Sequence, residues 1–162
     1  MEFEIDVSGE DILNPNYTIC VANRDGLIRG FKMTTEMVQV INARHDQGLY
    51  RYKKSRSGKA TLKVRLYCAI ISEIFRTLRL GESVSLTVCR DFDGKEQDIK
   101  IQLAQLLKDR QGLTVESVTF AKLDAHSGAH TYAYLMRKDT KNKLPTYATV
   151  TLNTLENYLF KR

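Results

Sequence analysis

A handful of acids and histidines stand at the ends or on the faces of otherwise apolar segments of this sequence. Asp6 interrupts Phe3, Ile5 and Val7, and Asp91 follows directly on the alternating run 83–90. Glu73 is the only acid in the apolar periodic stretch 62–78, while Asp124, His126 and His130 fall close together further on. Carboxylates gathered in space hold hard divalent ions such as Mg2+ or Mn2+. Two such ions ~3.5 to 4 Å apart can hydrolyse a phosphodiester, one activating water and the other supporting the leaving oxygen. Left without ions, grouped acids repel one another and at least one keeps its proton. An imidazole can join such a set as a ligand or assist product release. The sequence has no Gly-x-Ser-x-Gly elbow, Gly-Lys-Ser/Thr phosphate loop, Gly-x-Gly-x-x-Gly or His-Glu-x-x-His pattern, so the chemistries tied to those motifs lose weight.

Whether the acids meet depends on the elements that carry them. Phe3, Ile5 and Val7 alternate with Glu4, Asp6 and Ser8, the period of a strand with one face on a core, and Gly9 stops it. Residues 17–22 are rich in β-formers and Asp25-Gly26 marks a hairpin turn into 27–33, so an antiparallel meander opens the fold. Thr34 or Thr35 caps a helix that ends near Gln47, before Gly48. Ser55 to Gly58 reads as a loop, and beyond it Leu62, Leu66, Ile70, Ile74 and Leu78 form the buried stripe of a long helix reaching Gly81. A strand over 83–90, a helix over 95–111 stopped by Gly112 and a strand over 114–121 make a right-handed parallel crossover. Residues 129–137 fit both periods and lean to a helix capped by Ser127. Pro145 opens a final helix with Ala148, Leu152, Leu155 and Leu159 inward. The expected architecture is α/β, a five-stranded mixed sheet flanked by helices, with antiparallel strands first and parallel crossovers after them.

The 162 residues suit one domain spanning 1–162, since a single core serves roughly 100 to 200 residues. Apolar residues at 43% supply a core, and no stretch approaches the ~20 apolar residues of a membrane span. With the acidic opening Met1-Glu2-Phe3-Glu4, unlike a secretory leader, this reads as a cytoplasmic protein without a membrane partner. Cys20, Cys68 and Cys89 read as buried thiols. The formal charge of +6 is concentrated: Arg51, Lys53, Lys54, Arg56, Lys59, Lys63 and Arg65 follow one another without an acid, with Tyr50 and Tyr52 in front. Such a patch gains affinity for phosphate backbones by counterion release, and a tyrosine can stack on a base, although a charge run can equally be a solvated face. Arg51, Lys53, Lys54, Arg56 and Lys59 are therefore candidate nucleic-acid contacts, and the segment 34–58 reads as a helix-plus-basic-loop insertion.

The order of an antiparallel meander followed by helix, strand, helix, strand and helix resembles the ribonuclease H-like fold. Ile5-Asp6-Val7-Ser8-Gly9 resembles the Ile-Asp-x-x-Gly start of type 2 ribonucleases H and of related Holliday-junction resolvases. Lys122-Leu123-Asp124 and the stretch Ala133-Tyr134-Leu135-Met136-Arg137-Lys138-Asp139 are similar to the late Lys-x-Asp and the small-residue helix ending in Arg-Asp of those enzymes. That fold joins the middle of strand one to the end of strand four. The resemblance thus implies Asp6, Asp91 and Asp124 at metal positions, Glu73 reaching toward the two aspartates, and His126 or His130 in the histidine role of the last helix. It implies a metal-dependent nuclease or resolvase-like activity using Mg2+ or Mn2+ on an RNA/DNA hybrid or branched DNA. Val7 stands where type 2 enzymes carry Glu, which points to the superfamily and not to that enzyme.

Val7 also keeps open a second expectation, a ribonuclease H-like domain that binds nucleic acid or protein without cutting. Each site residue has a structural alternative as well. Asp6 could be a surface acid on a half-exposed sheet, Asp91 a turn starter and Glu73 a snorkelling residue. Asp93 has capping-box spacing to Glu96, and the histidines could be polar residues of a loop and a helix start.

Overall fold

The computed structural model describes residues 1–161. Strand β1 spans Glu2–Ser8, β2 Thr18–Ala22, β3 Ile28–Lys32, β4 Ser83–Val88 and β5 Thr114–Phe120. Helix α1 spans Thr35–Asp46, α2 Arg56–Leu78, α3 Glu96–Gln111, α4 Gly128–Lys138 and α5 Leu152–Glu156. The five strands form one mixed sheet in the order β3-β2-β1-β4-β5. Neighbours β1/β2 and β2/β3 run antiparallel, while β1/β4 and β4/β5 run parallel.

Period-2 alternation divides the sheet between two layers of unequal bulk. Phe3, Ile5, Ile19, Val21, Phe31, Val84, Leu86 and Val88 join the buried face of α2 and α3 in the main core. On the other face Cys20 meets Ala133 and Met136, and Ala22 meets Ala129, so α4 lies on a thin bed of small residues. Gly30 permits that approach. A Cβ there would stand 2.7 Å from Met136 Sδ and 2.9 Å from the Ile19 carbonyl. Gly30→Ala is therefore expected to cost about 1 to 3 kcal/mol, as overpacking does, read as a lowered urea midpoint with unchanged slope; an unaltered midpoint would mean that α4 shifts without penalty.

Caps set most helix starts. Thr34, Ser55 and Ser127 each accept a backbone N–H of the first turn, from Met37, Gly58 and His130 respectively. The expected loop over Ser55 to Gly58 is therefore the opening turn of α2, and Arg56 and Lys59 ride on that helix. α2 stops at Leu78, before Gly81, because Arg79 adopts a left-handed conformation at φ 52°. The ambiguous 129–137 segment is helical within α4.

The helix expected from Pro145 is not formed. Residues 146–148 instead run beside β3, with Gly30 N–H donating to Thr146 O at 2.8 Å and Ala148 N–H to Gly30 O at 2.7 Å. A helix appears only at Leu152, capped by Thr151. The free edge of β3 takes precedence over local propensity, because its unpaired backbone groups need partners. Nor does Asp93 cap α3: Lys95 occupies the N-cap without a side-chain bond.

The segment 34–58 is tied down. Arg44 and Tyr50 Oη both donate to the Glu156 carboxylate, the latter at 2.7 Å. Tyr50 also pairs with Phe160 in an isolated antiparallel bridge, and the buried His45 Nε2 lies 2.9 Å from Lys53 O. Tyr50 is 1% exposed, which corrects its expected availability for stacking on a base. Among the described residues no helix is long and apolar enough to cross a membrane.

Candidate functional site

β1 and β4 are parallel and adjacent, but the chain leaves β1 toward β2 and leaves β4 toward β5, on opposite sides. Their carboxyl ends therefore flank a switch point, the place where open α/β sheets leave a crevice. Ile5 is opposite Val88, and Cys89 N–H continues the ladder to Ile5 O at 3.0 Å. Asp6 and Asp91, remote in sequence, are thus delivered to the same end of the sheet. Both line one open cleft of about 540 Å³, together with Cys89, Arg90, Lys122 and His130.

Asp6 points away from the main core, toward α4. It is only 7% exposed, because α4 covers that face. Its Oδ1 accepts the Val7 N–H at 2.8 Å, and its Oδ2 lies 2.8 Å from His130 Nδ1. His130 holds that position because Ser127 fixes the first turn of α4.

Asp91 sits at the mouth of the cleft. Tyr17, at the start of β2, donates its Oη to Asp91 Oδ2 at 2.6 Å, and Asp91 Oδ1 accepts no hydrogen bond among the described residues. Partial burial, and after it the charges of Asp6, Asp93 and Asp11, raise the Asp91 pKa against the opposing bond from Tyr17. Burial and the neighbouring Asp91 in turn push the Tyr17 phenol far above its ordinary value.

A raised carboxyl pKa has a definite sign for stability. The folded state holds this proton more tightly than the unfolded state, so the Asp91 contribution worsens as pH climbs from the ordinary 3.8 through the raised folded value. Asp91→Asn should therefore stabilise the protein at pH 7, by about 1 kcal/mol or less because solvent screens this partly exposed group. The gain should vanish below the ordinary carboxyl pKa. Denaturant titrations at pH 3 and pH 7 check this; a variant less stable at both would show that the Tyr17 bond outweighs the repulsion.

Cations line the approaches. Lys63 Nζ donates to Asp11 Oδ2 at 2.6 Å beside Tyr17 and Asp91. Burial pushes the Asp11 carboxyl up, but the bonds from Lys63 and Leu13 N–H and the charge of Lys59 leave it below the usual range. Arg137 donates its Nε to Ser8 Oγ at 2.7 Å and faces the adjoining hollow with Gly9 and Tyr17. Arg51, Lys53, Lys54 and Arg56 are exposed and Lys59 is half-buried. The first turn of α2 holds no acid, so its cations add to the positive end of the helix dipole.

The remaining candidates lie apart from Asp6 and Asp91. Glu73 is buried at 5%, and its oxygens accept from Tyr158 Oη at 2.6 Å and Arg76 Nε at 2.8 Å, fastening α2 to the C-terminal segment. Asp124 accepts the His126 N–H at 2.9 Å, and both face a neighbouring hollow with Glu4 and Arg24. Among the described residues no group of three or more His, Cys, Asp and Glu side chains is placed to hold a metal ion. What the cleft offers is two carboxylates and one imidazole. Hard oxygen donors in that number suit an Mg2+ or Mn2+ ion that arrives with a phosphate, and do not make a complete cage of protein ligands.

Fold and site together define an α/β protein whose mixed sheet carries, at its switch point, a cleft lined by Asp6 and Asp91. Neither protein-family models nor curated proteins match the sequence.

Proposed function

We propose that the protein is a ribonuclease H-like, metal-dependent nuclease or resolvase-like protein acting on structured nucleic acid. The observation that carries the reading is the delivery of Asp6 and Asp91 from neighbouring parallel strands to one cleft, with His130 bonded to Asp6. Asp6 and Asp91 would hold Mg2+ or Mn2+ with substrate phosphate, and the ion, when bound, would polarise the phosphoryl oxygens. Tyr17 orients the Asp91 carboxylate, whose second oxygen accepts no hydrogen bond among the described residues. His130 Nδ1, 2.8 Å from Asp6 Oδ2, fixes the orientation of that carboxylate in the cleft. Arg90, Lys122 and Lys63 supply positive potential along the approach, and the exposed Arg51, Lys53, Lys54 and Arg56, with half-buried Lys59, extend it for a phosphate backbone. The test is cleavage of labelled hybrids, duplexes and four-way junctions with Mg2+ or Mn2+. No cleavage of any of them at any ion level would remove the catalytic claim.

One observation favours a second reading, a ribonuclease H-like domain that binds nucleic acid without cutting. Both Asp6 oxygens already have protein partners. Calorimetric titration with Mn2+, with and without oligonucleotide, separates the two: heat from ion uptake that needs the oligonucleotide supports the nuclease, and salt-sensitive nucleic-acid binding with no ion heat supports the binding domain.

A further inference from the structure

Three guanidinium groups gather on a single residue of the C-terminal segment. Arg51 Nη2 and Arg65 Nε both donate to the Tyr158 carbonyl, at 2.7 and 3.2 Å. The Arg110 guanidinium carbon lies 3.9 Å from the centroid of the Tyr158 ring, and that of Arg65 lies 5.7 Å from it. These arginines come from the stretch after α1, the middle of α2 and the end of α3, so four chain segments meet here. The arrangement is firmly supported, since the Tyr158 hydroxyl is bonded to the buried Glu73.

Charges of one sign so close together ordinarily recruit a carboxylate. The ion pairs among the described residues join Arg44 to Glu156, Lys63 to Asp11, Arg76 to Glu73 and His130 to Asp6, and none includes these three arginines. Burial holds the Arg65 pKa below its usual value, with Arg51 and Arg110 adding to the effect and Tyr52 opposing it. Hydrogen-bond donors remain to spare. Arg65 uses Nε for Tyr158 and Nη1 for Gln102, which leaves Nη2, while Arg110 makes no hydrogen bond among the described residues. A guanidinium held against a ring by its face keeps its N–H edge outward. Forked donors of this kind match phosphate oxygens better than a single ammonium does.

We propose that Arg51, Arg65 and Arg110 form a binding site for a phosphoryl group, either free or in a nucleic-acid backbone, separate from the Asp6 and Asp91 cleft. None of the three lines that cleft. The site does not depend on the nuclease reading, because anion binding is measured without turnover.

The test follows the arginine Nε–Hε resonances in nitrogen-15 spectra at low salt, titrating inorganic phosphate in one arm and a single-stranded oligonucleotide in the other. Saturable shifts of Arg51, Arg65 and Arg110 are expected, with affinity about tenfold weaker in Arg110→Gln, as for loss of a charge-assisted bond. Arg110→Lys should fall between, because it keeps the charge and loses the fork. In the oligonucleotide arm the slope of log affinity against log salt should drop by about 1 in Arg110→Gln. Response to phosphate identifies a small phosphate as a sufficient ligand, and response to the oligonucleotide alone identifies a backbone; either sustains the site. Absence of shifts in both arms, or equal affinity in the wild type and in folded Arg110→Gln and Arg51→Gln, overturns it. Asp6→Asn should leave the phosphate-induced shifts of Arg51, Arg65 and Arg110 as in the wild type, so failure of the cleft reading leaves this result standing.

Discussion

Asp6→Asn is expected to reduce cleavage roughly 10²- to 10³-fold, the usual cost of removing one preorganised electrostatic group from a reacting phosphate or acyl centre. The substitution keeps the shape of the side chain, so the Val7 N–H retains an oxygen acceptor and the fold should persist. What disappears is the negative charge between His130 and the cleft. The loss should appear in kcat, with oligonucleotide affinity held within about threefold or improved, because a backbone phosphate no longer meets that charge. Circular dichroism and the urea midpoint establish that the variant is folded. Cleavage by folded Asp6→Asn at the wild-type rate would end the assignment of this residue to the reaction, whatever substrate is found.

The second large effect concerns stability. Glu156 is 2% exposed, and its carboxylate gathers the Arg44 guanidinium and the Tyr50 hydroxyl. Glu156→Ala leaves a buried phenol without its acceptor and a partly sheltered cation without its partner. The expected cost is about 3 kcal/mol, the upper end of the penalty for an unsatisfied buried polar group. At roughly 2 to 4 °C per kcal/mol for a chain of this size, the melting temperature should fall by about 6 to 12 °C. Tyr50→Phe in the same background should recover part of the loss, because the orphaned hydroxyl is gone. A melting temperature within about 2 °C of the wild type would mean that water replaces the carboxylate without penalty.

The sheet was legible in the sequence because its signals are local. Phe3, Ile5 and Val7 alternate, Asp25-Gly26 turns, and the alternation over 83–90 marks a strand, although β4 stops at Val88, three residues short of Asp91. The observed β1, β2, β3 and β4 fall within a few residues of those readings. The start of α2 is hidden in the sequence because Ser57 and Gly58 are weak helix formers, and only the Ser55 cap, bonded to Gly58 N–H, makes the turn. Pro145 looked like a helix start, yet what the neighbouring backbone meets there is the edge of β3, a long-range partner that no local pattern reveals.

Side-chain partners were still less accessible. Tyr17 could be seen as a β-former, but nothing local tells that its hydroxyl meets an aspartate beyond the next crossover. Glu73 reads in the sequence as a metal ligand or a snorkelling residue, and the structure buries it on Tyr158 and Arg76. Helical periodicity gives the angle of a side chain about its own axis and says nothing of what chain end arrives there. The arginine cluster illustrates the same point: Arg51 and Arg65 belong to one visible basic run, whereas Arg110 joins them only because α2 and α3 lie side by side.

The tail of the chain functions as a strap. It begins beside Gly30 at one border of the sheet and finishes beside Tyr50, ahead of the long helix. Along the way it supplies Thr146 to an exposed strand, Glu156 to Arg44, and Tyr158 to both Glu73 and the gathered arginines. A nick that loosens the strap would therefore scatter the three arginines while leaving in place Asp6 on β1 and Asp91, held beyond β4 by Tyr17. Anion uptake at Tyr158 and chemistry at the cleft can thus be lost separately, and the order in which they fail on gentle proteolysis reports how the molecule comes apart.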